Sequence, residues 1–316
     1  MQVDKNVQLN KLLDSFPTPK QVMGLEKSYI KFLKNLVSLF IKSFNAWADH
    51  RGGSKGAALA FYTLFSLTPI LILVIAVAGY FFGEDAAQGQ IILQIQDLVG
   101  RNGAQAIQAL LAAARDPSGG LLATIIATVL LIIGATSVFT ELKGSLDEMW
   151  GAEKPISSPI SILLKTRLLS FGLVLTLTFL LLISLVVSTL LTVLQIYVGG
   201  IWSSSALLFA SLSWLISFSV ITCLFAVIYK MLPDAPLSWY DVLIGSIFTA
   251  GLFSFGKYLI GLYLGNSAVA SGFGAAGSIV ALLLWVYYSA QIFFLGAEFT
   301  RLYALNFGSL RDKKSV

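Results

Sequence analysis

The stretch AAGSIVALLLWVYYSAQIFFLGA, residues 275–297, decides the fold of this chain because its 23 residues carry no charge. A helix of about 20 apolar residues crosses the roughly 30 Å hydrocarbon core of a bilayer. Glu298 and Arg301 follow directly at its far end. The stretch is therefore predicted to be a transmembrane helix, and the charges at its end are where function is to be sought.

The composition of the whole chain is that of a membrane protein. Of its 316 residues, 57% are hydrophobic and only 12% are charged, about half the charged fraction of an ordinary soluble domain. So few charges cannot cover a water-facing surface. The one cysteine, Cys223, excludes a disulfide within the chain and a thiolate metal cluster, and we expect it to be a small buried hydrophobe.

Five further apolar segments predict an all-α membrane protein with six transmembrane helices. Lys and Arg concentrate between and beyond the spans on one side, and residues 1–55 hold nine of them against four Asp and Glu. By the positive-inside rule this places both termini in the cytoplasm. The predicted spans are residues 57–82 (with Pro69 inside), 121–142, 168–194, 206–229, 239–264 and the segment that ends near Arg301.

The remaining segments divide the chain around a membrane domain at 51–301. Residues 1–27 and 302–316 are predicted to be basic cytoplasmic tails. Residues 28–50 alternate apolar and lysine positions at helical spacing, which predicts an amphipathic helix in the cytoplasmic interface or, alternatively, a helix that binds a soluble partner. Residues 84–118 are predicted to form an outer hairpin of two short helices joined at 101–103. The first long apolar stretch starts too late for a cleavable signal peptide and is expected to remain as an anchor.

Two predicted spans carry polar residues on one helical face. On the third span the face comprises Ser184, Ser188, Thr192 and Gln195, and on the fifth it comprises Ser246, Ala250, Ser254 and Lys257. Small and hydroxyl residues let helices pack closely and form hydrogen bonds across the contact. The same faces could instead line a polar translocation path, so both interpretations stand at this stage.

Charged residues near the span ends are the stronger functional signal, since a charge at mid-bilayer costs on the order of 3 kcal/mol. Lys257 either snorkels outward or meets an anionic group in a cavity. Glu141 and Glu298 lie near the inner ends of their helices, at the depth predicted for Lys143, Lys165, Arg167 and Arg301. We expect an ion-pair cluster on the cytoplasmic side, which either locks the helices together or forms an inner gate.

Four stretches of the chain are distinctive: GAALAFYTLFSLTPILILVIA at 56–76, FTELKGSLDEMWG at 139–151, YKMLPDAPLSW at 229–239 and FGAAGSIVALLLWVYYSAQIFFLGAEFTR at 273–301. Together they resemble the YihY/BrkB family of bacterial inner-membrane proteins. The resemblance implies six spans in a bacterial cytoplasmic membrane. Family members have been named ribonuclease BN, some are linked to virulence or serum resistance, and export of envelope lipid or lipopolysaccharide has been suggested. The family-pattern positions, of unknown role, are Ser66, Pro69, Trp150, Pro233, Gly277, Trp285, Tyr288, Gly296 and Glu298.

Several chemical activities are disfavoured by the residues themselves. A metal-dependent nuclease needs clustered His and Asp ligands, whereas this chain has one histidine, His50, which is expected to be solvated between Asp49 and Arg51. There is no Walker loop, and the GxGxxG at 272–277 precedes a membrane span rather than following a strand. Ser254 and Lys257 at i and i+3 are a weak signal for a hydrolase. No catalytic residue, metal, cofactor or nucleic-acid partner is therefore predicted.

The function that these features favour is transport or export of an amphiphilic envelope component, such as a lipid, without ATP hydrolysis by this chain. In this hypothesis the polar faces form a path, Lys257 attracts an anionic headgroup, and Glu141, Glu298 and Arg301 form an inner gate. The alternative is a non-transporting scaffold for envelope-assembly proteins. The expected partners are membrane lipids, with envelope-assembly proteins and a second copy of the chain as further candidates. A membrane-embedded enzyme would require a nucleophile and a base in contact.

Overall fold

The computed structural model describes residues 19–115, 137–152, 205–266 and 277–311 of the chain. All regular structure within these ranges is helical, which confirms the all-α class for them. The helices are α1 (Pro19–Asp49), α2 (Gly52–Phe82), α3 (Glu84–Arg115), α4 (137–150), α5 (Ser205–Met231), α6 (Trp239–Asn266) and α7 (Gly277–Asn306).

Three described helices contain segments long and apolar enough to cross a membrane, namely Ser211–Met231, Trp239–Tyr263 and Ile279–Asn306. They coincide with the predicted fourth, fifth and sixth spans. The predicted first span lies in α2. Of the second only residues 137–142 are described, and the third, with Ser184, Ser188 and Thr192, lies outside the described residues. Cys223 is exposed on α5 rather than buried.

Helix α1 starts earlier than the sequence predicts. It begins at Pro19, so the prediction of a loose tail up to residue 27 is wrong. Proline suits the first position of a helix because its φ angle is already helical and its missing N–H would be unpaired there. Leu39 and Ser43 are buried where α1 packs against the rest of the molecule. The neighbouring apolar side chains are exposed: Leu36, Val37, Phe40, Ile41 and Phe44.

Helix α3 replaces the predicted hairpin. The sequence predicts a break at 101–103, but one helix runs without interruption from Glu84 to Arg115. Ala104, Ile107 and Leu111 beyond this point are buried against α2 and α7. A glycine inside a helix costs about 1 kcal/mol, whereas burying one large aliphatic side chain contributes about 1.5–3 kcal/mol. The packing of these side chains therefore stabilises the helix across the predicted break.

A tight turn at Gly83 reverses the chain between α2 and α3. Gly83 has φ 86°, a left-handed value that glycine adopts without strain, and its N–H donates to the carbonyl of Gly79 at 2.8 Å. Glu84 passes so close to Gly79 that a Cβ there would lie 3.1 Å from the Glu84 Cα. The turn sends α3 back along α2 rather than away from it.

Helix α7 is the central element, since it contributes to both hydrophobic cores. The first core joins α7 to α4, α5 and α6 around Leu146, Met149, Tyr229 and Phe294. The second joins α7 to α2 and α3 through Leu282. The C-terminal half of α7 thus packs against α4, α5 and α6, and this is where the charged residues lie.

Candidate functional site at the C-terminal half of α7

The turn between α1 and α2 places the single histidine of the chain against α7. Arg51 adopts the left-handed conformation with φ 56°, and α2 begins at the next residue. The Trp47 indole lies directly over Gly52, so that any side chain at residue 52 would collide with it. These contacts fix the turn and orient His50 toward Glu298.

Glu298 and His50 form a part-buried polar contact between α7 and the α1–α2 turn. His50 Nδ1 lies 2.6 Å from Glu298 Oε1, and the Glu298 side chain is 0% exposed while that of His50 is 28% exposed. Arg301, one turn further along α7, places Nη1 3.7 Å from Glu298 Oε2. The expectation of a solvated histidine is wrong, because the packing of α1 and α2 on α7 removes one side of the ring from solvent.

A second charged group fastens α4 to the loop between α5 and α6. Lys143 Nζ lies 2.9 Å from Asp147 Oδ2 and 2.8 Å from Asp234 Oδ2, and the Asp234 N–H donates to Asp147 Oδ1 at 2.8 Å. Burial lowers the pKa of Lys143, but the hydrogen bonds and charges of Asp234 and Asp147 outweigh it and raise that pKa above its ordinary value. Among the described residues, the single predicted ion-pair cluster is therefore divided into separate groups.

Glu141, predicted to join the gate, has another hydrogen bond. Its Oε1 accepts from Ser145 Oγ at 3.3 Å on the same helix. Lys165 and Arg167 lie outside the described residues. A further ion pair joins Lys55 Nζ to Glu148 Oε2 at 2.6 Å, between α2 and α4.

Two aromatic side chains donate hydrogen bonds to the backbone of α7 beside Glu298. Trp150 Nε1 donates to the carbonyl of Ala297 at 3.0 Å, and the Tyr229 hydroxyl donates to the carbonyl of Phe293 at 2.6 Å. The two rings also contact each other edge to face, with centroids 6.0 Å apart. Side chains from α4 and α5 thereby hold consecutive turns of α7 in place.

The polar stripe on α6 divides into a packed end and a more open end. Ser246 and Ala250 are fully buried between helices, as expected for small residues at a helix contact. Ser254 and Lys257 are half-buried. The Lys257 end of this face is therefore less buried than the Ser246 end.

The family-pattern positions with described side chains lie mostly along α7 and its contacts. Gly296 packs against Thr249, and Tyr288 packs against Gly256. Trp285 meets Phe253 edge to face. Ser66, Pro233 and Gly277 are buried, whereas the Pro69 side chain is not among those described.

These helices and this site define the class of the molecule, an α-helical membrane protein whose sequence motifs converge on one helix. The family model described as "Virulence factor BrkB" matches residues 43–315. The chain therefore belongs to the BrkB family, as the four quoted stretches indicate.

The named relatives have low sequence identity to the chain but match most of its length. The chain is 23% identical to a UPF0761 membrane protein of Acinetobacter baylyi over 88% of its own length and 63% of the relative's. It is 25% identical to the putative ribonuclease-like protein YfkH of Bacillus subtilis, over 86% and 95% of the two lengths. A UPF0761 membrane protein of Pseudomonas aeruginosa is 27% identical over 77% and 57%. The chain thus spans only about half to two thirds of several relatives, and no solved structure matches it.

The described residues contain no group of three or more His, Cys, Asp and Glu side chains placed to hold a metal ion. The ribonuclease-like name belongs to the Bacillus relative. The prominent polar feature of the described part of this chain is instead the His50–Glu298–Arg301 group, which joins residues 248 positions apart.

Proposed function

We propose that this protein is a carrier in a bacterial cytoplasmic membrane that moves an amphiphilic envelope component without hydrolysing ATP. The proposal includes six spans with both termini cytoplasmic. It is supported by the apolar helices, by the membership in a membrane-protein family and, above all, by the polar face of α3.

The observation that carries the proposal is a row of exposed glutamines on a helix packed along apolar neighbours. Helix α3 buries one side against α2 and α7, while Gln90, Gln105 and Gln108, which share another helical face, are exposed. Residues 84–118 are predicted to lie outside the six spans, yet α3 packs along α2 and α7. Wherever it lies beside lipid, its outward side chains would normally be apolar, because an amide loses its hydrogen bonds to water there. A helix with apolar contacts on one side and amides on the other is suited to line a hydrated path beside α2 and α7.

Charged residues on α6 and α7 have separate roles in this path, one in attracting the substrate and the others in gating. Half-buried Lys257 attracts the anionic headgroup of the substrate, whose apolar part stays among the apolar side chains of the spans. Glu298 and Arg301, with His50 added by the geometry, form the gate near the far end of α7. Glu141 stays a predicted member of this gate.

Cysteine accessibility tests the path directly, because Cys223 is the one native thiol. In a Cys223→Ser background, Gln105→Cys and Gln108→Cys variants are expected to react with a membrane-impermeant maleimide in intact vesicles. The matched controls are Phe61→Cys and Phe65→Cys on the exposed side of α2, which are expected to react only with a lipid-soluble maleimide. If the glutamine positions behave like the α2 controls, the face does not line an aqueous path.

Complementation tests the assignment of Lys257. In a strain lacking the protein, Lys257→Ala is expected to leave the deletion phenotype unrescued, while Lys257→Arg, which keeps the charge, rescues most of it. Both variants must reach wild-type abundance in the membrane. Full rescue by Lys257→Ala would remove Lys257 from the substrate path.

A scaffold that recruits envelope-assembly proteins is the second candidate, and the exposed apolar face of α1 favours it. Val37, Ile41 and Phe44 are each at least half exposed, and such a face can bind a helix of another protein as well as lipid. Photo-crosslinking from residue 41 distinguishes the two, since a carrier gives lipid adducts there and a scaffold gives a defined protein adduct.

A further inference from the structure

One carboxylate oxygen of Glu298 has no hydrogen-bond partner among the described residues. Its Oε1 lies 2.6 Å from His50 Nδ1, whereas its Oε2 is buried and has no hydrogen-bond partner among the described residues. Arg301 Nη1 is 3.7 Å from Oε2, close enough for charge attraction and too far for a hydrogen bond. A buried carboxylate oxygen with free lone pairs is unfavourable unless it acquires a partner.

We propose that Glu298 Oε2 is a proton-binding site whose occupancy controls the contact between the α1–α2 turn and α7. The inference rests on the proposed transport function, for which it supplies an energy source, a proton that binds in one conformation and leaves in another. A hydronium ion transfers the proton to Oε2 and becomes water, so one of its O–H bonds breaks as the Oε2–H bond forms. The carboxylate becomes a neutral carboxylic acid.

Protonation weakens both contacts that Glu298 makes. A neutral carbonyl oxygen accepts a weaker hydrogen bond from a His50 Nδ1–H than a carboxylate does, since charge-assisted hydrogen bonds are roughly twice as strong. The guanidinium of Arg301 loses its counter-charge at the same moment. His50 lies in the turn between α1 and α2, directly before Arg51. A weaker His50–Glu298 contact therefore loosens this turn from α7.

The ion pairs around Glu298 favour this residue, rather than another charged group, as the proton-binding site. Of the described charged groups, His50 and Arg301 are those that pair with it. Lys55 is paired with Glu148, and the carboxylate of Asp241 is held by Ser309. The other titratable or charged groups with described side chains on the seven helices and the α1–α2 turn are Lys34, Lys42, Asp49 and Arg51 on α1 and its turn, Tyr62 and Tyr80 on α2, Glu84 and Asp85 on α3, Glu141, Lys143 and Asp147 on α4, Cys223, Tyr229 and Lys230 on α5, Tyr240, Lys257, Tyr258 and Tyr263 on α6, and Tyr287, Tyr288 and Tyr303 on α7.

Hydrogen exchange of the turn tests the proposal without knowledge of the substrate. The wild-type protein in lipid nanodiscs is compared at about pH 5 and about pH 8, which bracket the range where histidines and buried carboxylates titrate. After correction for intrinsic exchange, amides of residues 46–56 are expected to exchange about tenfold faster at the lower pH, the change that one pKa unit of difference between two states produces. Equal protection at both pH values in the wild type overturns the proposal before any variant is made.

Two variants then locate the site. Glu298→Gln imitates the protonated acid and is expected to exchange rapidly at both pH values, whereas Glu148→Gln, the matched control at the other ion pair, is expected to keep the wild-type response. A wild-type response in Glu298→Gln, or its loss in Glu148→Gln, places the proton elsewhere and overturns the proposal. If the turn responds to pH but the α3 cysteines fail to label, the transport path is contradicted while the proton site stands.

Discussion

Gly296 on α7 faces Thr249 on α6 so closely that no larger residue fits between them. A Cβ at Gly296 would lie 2.7 Å from the Tyr229 hydroxyl and closer still to Thr249 Oγ1. The arrangement is reciprocal, because Gly245 on α6 meets Thr300 on α7 in the same way. Each threonine hydroxyl donates to the carbonyl of the glycine one turn before it, at 2.8 and 2.7 Å. Two interlocked Gly-x-x-x-Thr pairs thus set the spacing of the two helices.

This interlock predicts a strong effect of adding a single methyl group. Gly296→Ala and Gly245→Ala are expected to lower the free energy of unfolding by about 1–3 kcal/mol, as overpacking does. The control is Gly251→Ala on the same α6, where a Cβ meets nothing within 4 Å. It is expected to be neutral or slightly stabilising, since alanine favours helix. Thermal unfolding in one detergent compares them, and equal melting temperatures for all three variants contradict the prediction.

The Tyr229 hydroxyl provides a second test of the α7 contacts. Tyr229→Phe keeps the ring packing against Phe293 and removes the hydrogen bond to its carbonyl. The expected loss is about 1 kcal/mol in unfolding free energy, since net hydrogen-bond contributions are about 0.5–1.5 kcal/mol and those inside membranes average about 0.6 kcal/mol. Tyr258→Phe, at an exposed tyrosine on α6, is the control and is expected to have no measurable effect in the same unfolding assay.

Lys143 is expected to matter more than Lys55. Lys143→Met removes the shared cation from Asp147 and Asp234, and a loss of about 1–3 kcal/mol follows from charged hydrogen bonds of this kind. Lys55→Met breaks a pair whose partner Glu148 is 59% exposed, and pairs of that kind contribute about 0–1 kcal/mol. Chemical unfolding of both variants at neutral pH makes the comparison, and an equal or larger loss for Lys55→Met contradicts it.

The raised pKa of Lys143 also fixes how this contribution depends on pH. A lysine whose pKa is higher in the folded than in the unfolded protein stabilises fully below its ordinary value of 10.5 and loses that contribution as pH rises through the folded value. The difference in stability between wild type and Lys143→Met is therefore expected to stay constant through neutral pH and to shrink only in strong alkali. A difference that already shrinks near neutrality would show that another group is responsible.

Asp241 is predicted to anchor the end of α7. Asp241 lies on α6, where Ser238 caps the helix start by accepting from the Asp241 N–H. Its buried carboxylate accepts from the Ser309 N–H at 2.9 Å and from the Ser309 hydroxyl, just beyond α7. Asp241→Ala is expected to expose residues 307–311 to rapid hydrogen exchange while the centre of α7 stays protected. Asp85→Ala, at an exposed acidic residue in the first turn of α3, leaves that exchange unchanged if the anchor is specific.

Local sequence patterns predicted the apolar helices well and the polar contacts poorly. Composition and length identified the segments of α5, α6 and α7, because hydropathy reports directly on the solvent around a helix. The same patterns placed a break in α3 where tertiary packing continues the helix. They also left His50 in solvent, since nothing near residue 50 reveals a partner 248 positions away. Glu298 was identified by its charge at the end of an apolar run, although its partner was not.

The bonds from Trp150 and Tyr229 to the carbonyls of Ala297 and Phe293 have a mechanical consequence. They are directional, so α4 and α5 can turn only together with α7 unless those bonds break. Helix α3 meets α7 through apolar contacts of the second core, which have no preferred direction and tolerate sliding. In a conformational cycle of this molecule, α4 to α7 would therefore move as one rigid group. Helix α3, with its glutamine face, would slide along that group, which is a shear rather than a hinge motion.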